Sequence, residues 1–302
     1  MRHSLMDDGE RLYREGVRYR DGLEQGVLLN RTNAARYLLE AGKLGHPGAA
    51  AWMALLAKGI VTGFEEDHVE AEKWQTEAIR LDVRSFYERR ALSGDQDAHY
   101  SLGILLEEGI AMELDYPLAF HHYTTASNSN FAPAQNNLAL MYRRGLGTAI
   151  DEAQTLQLYH RAADLGYVIA QNNLGFLYKA KATAESRAQA FKWFMRAATA
   201  GYPSAQNNIG AMYRTGEGAP RDLRTACEWY TKAADQGHAI SMNSLGVLYQ
   251  NSSDDWPENK ALAFEWYQRA TCESLGCIFL QSLFVVLGWA CSRVTKPHRR
   301  GI

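Results

Sequence analysis

The 302-residue chain predicts an all-α fold, a right-handed α-solenoid of about seven helix-turn-helix repeats. Three observations carry that prediction. An apolar residue recurs at Leu102, Leu138, Leu174, Ile209 and Leu245, in steps of 36, 36, 35 and 36 residues. An alanine recurs without exception at Ala41, Ala78, Ala126, Ala162, Ala197, Ala233 and Ala270. Glycines punctuate the ends of the helical stretches. Self-similarity at such a period marks stacked helical units, each burying its apolar face only on its neighbours.

The first helix of each unit carries the Leu/Ile marker. A small residue follows it at Gly16, Gly103, Ala139, Gly175, Gly210 and Gly246, and a Tyr or Leu lies three further on at Tyr19, Leu106, Tyr142, Tyr178, Tyr213 and Tyr249. Apolar residues four apart share one helical face, and the small residue between them lets a second helix approach. In the two N-terminal units Glu15 and Trp52 take the marker position, and Met53 breaks the small-residue rule. Gly22, Gly59, Gly109, Gly145 and Gly216 stop the first helices, whereas Lys181 and Ser252 depart from that rule.

The second helix carries the alanine marker. Four residues before it stands a bulky residue, Tyr37, Trp74, His122, Leu158, Trp193, Trp229 or Trp266, and this row is expected to supply the large knob of the face. The units run over about 8–46, 47–82, 97–132, 133–168, 169–203, 204–239 and 240–274. An insertion at 83–96 is expected to hold an extra helix over Ser85–Leu92, and 275–302 reads as an apolar C-terminal helix with a basic tail.

The pattern Leu-Gly-x-x-Tyr-x-x-Gly, then Ala-x-x-Trp-Tyr-x-x-Ala-Ala-x-x-Gly, resembles the Sel-one-like repeat family, a relative of the tetratricopeptide repeats. The match is fullest over 133–239, where Ile209-Gly210 and Trp229-Tyr230-Thr231-Lys232-Ala233-Ala234 stand at the motif positions. The resemblance implies an adaptor that gathers protein partners, without catalytic residues. Some cysteine-rich bacterial members of the family resemble penicillin-binding or penicillin-hydrolysing proteins and carry a cysteine pair in each repeat. This chain has only Cys227, Cys272, Cys277 and Cys291, at no repeated spacing.

Binding residues are expected on the face left over after packing, on the concave side of the first helices. Three positions at i, i+4 and i+7 share it. The first holds Asn136, Asn172, Asn207 and Asn243; the second Leu140, Phe176, Ala211 and Val247; the third Arg143, Lys179, Arg214 and Gln250. An amide row can grip an extended backbone through donor and acceptor, and a cationic row favours acidic side chains or a terminal carboxylate. An alternative reading assigns the adjacent Asn137, Asn173 and Asn208 to hydrogen bonds between repeats.

Net charge of -2 and a pI near 6.5 give no basic excess for nucleic acid. No phosphate-binding loop, zinc-protease motif or nucleophile elbow occurs, so neither enzyme activity nor a cofactor or metal is expected. His121-His122 reads as part of the packing. The N-terminal ten residues lack a signal-peptide core and the cysteines imply no disulfide framework, which points to the cytoplasm. Residues 274–292 carry no charge and precede a basic stretch, 293–300. A cap on the last repeat is the preferred reading, and a membrane anchor is the alternative. The function expected is therefore a non-enzymatic protein-binding scaffold, ahead of a membrane-attached adaptor and of a hydrolase acting on cell-wall or lactam substrates.

Overall fold

The computed structural model describes residues 2–21, 31–59, 67–251 and 259–274. These residues form fifteen helices and no strand. Helices α1 (Arg2–Asp21) and α2 (Arg31–Lys43) make the first pair, α3 (Pro47–Ala57) and α4 (His68–Arg80) the second. A single helix, α5 (Val83–Leu92), follows. The remaining pairs are α6 (Gln96–Glu108) with α7 (Tyr116–Asn128), α8 (Ala132–Arg144) with α9 (Glu152–Asp164), α10 (Val168–Ala180) with α11 (Ala184–Thr199), α12 (Pro203–Thr215) with α13 (Leu223–Ala234), and α14 (Ala239–Gln250) with α15 (Lys260–Ser274). Helices pack chiefly on their chain neighbours, which is the quasi-one-dimensional order of a solenoid. The apolar segment over 275–302 lies outside the described residues.

The turns inside the pairs follow one design. Asp67, Asp115, Asp151 and Asp222 each cap a second helix through a side-chain oxygen, and Thr183 forms a capping box with Ser186. Such caps are worth about 1 kcal/mol apiece. Five cap residues, Asp67 among them, also tie the turn back to the first helix through the backbone. Asp115 N–H donates to the Leu106 carbonyl at 3.0 Å, Asp151 to Tyr142 at 3.1 Å, Asp222 to Tyr213 at 2.9 Å and Asn259 to Tyr249 at 2.8 Å. First helices α6, α8 and α12 stop at Gly109, Gly145 and Gly216 in the left-handed region. Helix α10 lacks that glycine; Ala182, at φ 57°, takes the left-handed turn just after the helix instead.

The second pair shifts the expected register by one. Its helix starts at the cap His46, and Asp67 N–H bonds the Ala57 carbonyl at 2.7 Å. Counting from either anchor aligns Met53, not Trp52, with Leu102 and Leu138. Ala54, fully buried, then occupies the small-residue position, so Met53 is no exception.

The core is built on a small residue facing a ring. A Cβ added to Gly103 would lie 2.5 Å from Tyr123, at Gly175 2.5 Å from Phe194, at Gly210 2.7 Å from Tyr230 and at Gly246 2.5 Å from Tyr267. Tyr123, Tyr159, Phe194 and Tyr230 are all buried, each ring contributing about 2–3 kcal/mol of apolar burial. This corrects the expected knob in the later pairs, whereas in the second pair Trp74 is buried against Gly42 as expected. The filling ring stands one residue after the Trp193, Trp229 and Trp266 row, whose indoles are half-buried and stack under Arg196, Lys232 and Arg269.

Helix α5 stands in for a second helix. Buried glutamines in later units donate to a carbonyl eight residues earlier: Gln135 to Ser127 at 3.3 Å, Gln171 to Ala163 at 3.1 Å and Gln206 to Ala198 at 3.2 Å. His99 occupies the same position and bonds Ala91 of α5, at the same offset. On its other side Tyr87 of α5 meets the Tyr13 hydroxyl at 3.0 Å. Tyr13 donates to Asp97 at 3.2 Å, and Arg20 donates to Asp97 at 2.6 Å while lying 4.2 Å over the Trp52 ring. The first and third units are thereby joined across the second.

Candidate protein-binding face

The two adjacent positions in the middle of each first helix alternate between neighbours along the solenoid. Asn173 Nδ2 donates to Asn136 Oδ1 at 2.9 Å, and Asn208 Nδ2 donates to Asn172 Oδ1 at 3.0 Å. Ser244 Oγ continues the ladder to Asn207 Oδ1 at 3.2 Å. Each rung runs from the second position of one unit back to the first position of the preceding unit. At the start of the ladder the first position is Tyr100, which offers no amide; Asn137 Nδ2 turns instead to the Tyr123 hydroxyl at 3.2 Å.

An exposed outer amide row is therefore not what forms. Asn136 is 3% and Asn172 is 6% exposed, and both spend their carbonyl oxygens on the ladder. Asn207 is half-buried and accepts from Ser241 and Ser244, whereas Asn243, at the last rung, is exposed. The physical reason is the close approach of successive first helices, which covers the row facing the following unit.

The apolar row remains accessible and opens toward the C-terminal units. Leu140 and Ala211 are half-buried, Phe176 is 48% and Val247 39% exposed. The Phe176 ring is held edge-on against Phe194 at a centroid distance of 5.2 Å, so its position is fixed although one face is free.

The third row covers the ring beneath it. Glu107 accepts from the Tyr123 hydroxyl at 2.8 Å, and Gln250 accepts from Tyr267 at 2.8 Å. Arg143 lies against Tyr159 and Arg214 against Tyr230, where burial raises each phenol's pKa and the guanidinium opposes it. Lys179, at the equivalent position, pairs with Glu217 of the next unit at 3.4 Å. Among the described residues Arg143, Arg144 and Arg214 make no ion pair within 4.0 Å. The sequence alone suggested a row basic at Arg143, Lys179 and Arg214 and neutral at Gln250; its continuation at Glu107, where burial raises the carboxyl pKa, shows a covering position that also turns acidic. No group of three or more metal-ligating side chains occurs among the described residues, and no helix there is long and apolar enough to cross a membrane.

The family profile described as Sel1 repeat matches residues 12–46, 96–131, 132–167, 168–202, 203–238 and 239–274. No curated protein matches the chain. A Sel1 repeat protein from Oxalobacter formigenes is 26% identical over 93% of this chain and 90% of its own, with a TM-score of 0.57. The protective antigen c5321 of uropathogenic Escherichia coli, which displays an SLR fold, is 21% identical over 95% of this chain and 68% of its own, with a TM-score of 0.43. The immunity protein Pa5087 of Pseudomonas aeruginosa is 17% identical over 89% and 83%, with a TM-score of 0.39. Repeat period, helix pairing and the six profile matches converge, and the chain belongs to the Sel1 repeat family.

Proposed function

We propose that this chain is a non-enzymatic scaffold that takes an acidic, apolar-flanked segment of a partner protein along the concave face of its first helices. Sel1 repeat proteins are generally protein–protein interaction scaffolds. The observation that carries the finer reading is the apolar row Leu140, Phe176, Ala211 and Val247. It is exposed at Phe176 and flanked by Arg143 and Arg214, cations without an internal carboxylate. A fixed aromatic ring beside unpaired guanidinium groups suits an anchor residue next to an acidic one. Asn136 and Asn172 serve this face indirectly, by fixing the spacing of its units.

The test is affinity capture with purified wild-type protein, Phe176→Asp, and the double variant Arg143→Glu/Arg214→Glu, at matched helicity. Loss of the captured proteins by at least tenfold in both variants is expected. An unchanged set of captured proteins would overturn the assignment of this face. Cytoplasmic residence belongs to the same reading. Fractionation of the full chain against a 1–273 truncation separates a capping role for 275–302 from membrane attachment, which a pelleted full chain with a soluble truncation would reveal.

A further inference from the structure

The ring under each covering residue exposes one unit that is incomplete. In the third pair the Tyr123 hydroxyl is fully satisfied: it donates to Glu107 Oε2 at 2.8 Å and accepts from Asn137 Nδ2 at 3.2 Å. In the seventh pair Tyr267 donates to Gln250 at 2.8 Å. The fifth pair has Phe194 and no hydroxyl to satisfy. In the fourth pair Tyr159 is completely buried; the Arg143 guanidinium, a donor, reaches its hydroxyl, and no acceptor for the phenolic proton lies within hydrogen-bond distance.

The cause is a pair of exchanges. The residue equivalent to Glu107 is Arg143, which carries five N–H donors and no acceptor. The residue equivalent to Asn137 is Asn173, and its amide is turned to Asn136 at 2.9 Å. The phenolic proton of Tyr159 thus points to a place where this chain supplies no acceptor. Leaving such a group unmet costs about 1–3 kcal/mol. Both Arg143 and Arg144 are exposed, and both pull down the Tyr159 pKa, which burial pushes up to about 12, so two guanidinium charges stand close to the hydroxyl.

We propose that Tyr159, Arg143 and Arg144 form a carboxylate subsite for an Asp or Glu side chain of the partner. The incoming oxygen accepts the Tyr159 proton and pairs with the Arg143 fork, as Glu107 does internally for Tyr123. The subsite rests on the groove reading above and names its anchor chemistry. A side chain is favoured over a chain terminus because Leu140 and Phe176 offer apolar contact on both sides of an acidic residue, and only a mid-chain residue has flanking side chains on both sides.

The test titrates the full chain with N-acetyl-glutamic acid α-amide, which has only a side-chain carboxylate, and with N-acetyl-alanine, which has only a terminal one. Ionic strength is held constant with sodium chloride, and the Arg143 Nε–Hε resonance is followed by NMR. A saturable shift with the glutamate derivative is expected, with the apparent Kd at least threefold weaker in Tyr159→Phe and in Arg144→Gln. N-acetyl-alanine is expected to bind several-fold more weakly. No saturable shift, or equal affinity in Tyr159→Phe, overturns the subsite; equal or tighter binding of N-acetyl-alanine overturns its assignment to a side chain. If the shift is absent while Phe176→Asp still abolishes partner capture, the subsite fails and the groove reading stands.

Discussion

Asn173 donates through Nδ2 to Asn136 Oδ1 at 2.9 Å, and the two residues belong to successive units. The bond joins repeats where only side chains can do so, because the backbone bonds of both helices are used internally. Truncating the acceptor of a rung leaves a part-buried amide without its partner, at a cost of about 1–3 kcal/mol. Asn172→Ala and Asn136→Ala are expected to lose stability in that range, and Asn243→Ala, at an exposed position, to change it little. A double-mutant cycle on Asn136 and Asn173, read by chemical denaturation, should give a coupling of about 1 kcal/mol. Additive effects would show that the ladder carries no energy.

Glycine inside a helix normally costs about 1 kcal/mol relative to alanine, so Gly→Ala ordinarily stabilises. At Gly175 the added Cβ would meet the Phe194 ring at 2.5 Å. Gly175→Ala is therefore expected to destabilise by about 1–3 kcal/mol, the usual penalty of overpacking. Combining it with Phe194→Leu should recover part of the loss. A higher thermal midpoint for Gly175→Ala alone would contradict the packing described.

Tyr123 and Tyr159 occupy equivalent positions with opposite hydrogen-bond states. Tyr123→Phe removes the donor to a half-buried Glu107 and should cost about 1–3 kcal/mol. Tyr159→Phe removes a hydroxyl that donates to no acceptor and should be neutral or stabilising. Equal losses in a denaturant titration of both variants would rule out the distinction.

Acidification should weaken the N-terminal half. His122 and His99 face each other Nδ1 to Nδ1 at 3.0 Å, with His121 and Glu88 nearby. Burial, then the charges of His99 and His121, holds the His122 pKa at about 4, below its ordinary 6.5. The unfolded chain therefore binds the extra proton first, and stability falls as pH drops from 6.5 toward 4. Glu10, held at about 2 chiefly by its hydrogen bond to His46, gives up its share only between 4.5 and 2. Screening around these part-exposed groups leaves roughly 1 kcal/mol for the histidine window. Thermal midpoints measured across pH 7 to 4 should fall, and His122→Gln should flatten the curve. A wild-type midpoint that stays level over that range would refute the account.

The helix pairs were legible because the Leu/Ile step and the alanine marker both report on contacts that every unit must repeat. The identity of the buried ring was not, because Trp193-Phe194, Trp229-Tyr230 and Trp266-Tyr267 place two aromatics side by side. The usable signal was uniformity. From the third pair on, the row Tyr123, Tyr159, Phe194, Tyr230 and Tyr267 is aromatic, whereas the preceding row there includes His122 and Leu158. The direction of the ladder was illegible for a similar reason. Adjacent asparagines differ by one helical step of about 100°, and only the position of the neighbouring unit decides which is covered. The Asp caps were readable in principle, since Asp67, Asp115, Asp151 and Asp222 stand just before second helices. The exposure of Phe176, Arg143 and Arg214 was legible because they fall outside the packing pattern and share one helical face.

The central claim is that partners are held on the face containing Phe176. A photo-crosslinking amino acid placed at position 176, at 211, and at 192 on the exposed surface of α11 tests it in the full chain. The account predicts partner adducts from 176 and 211, suppressed by Arg143→Glu/Arg214→Glu, and none from 192. Adducts confined to 192, or unaffected by the charge reversal, would contradict it.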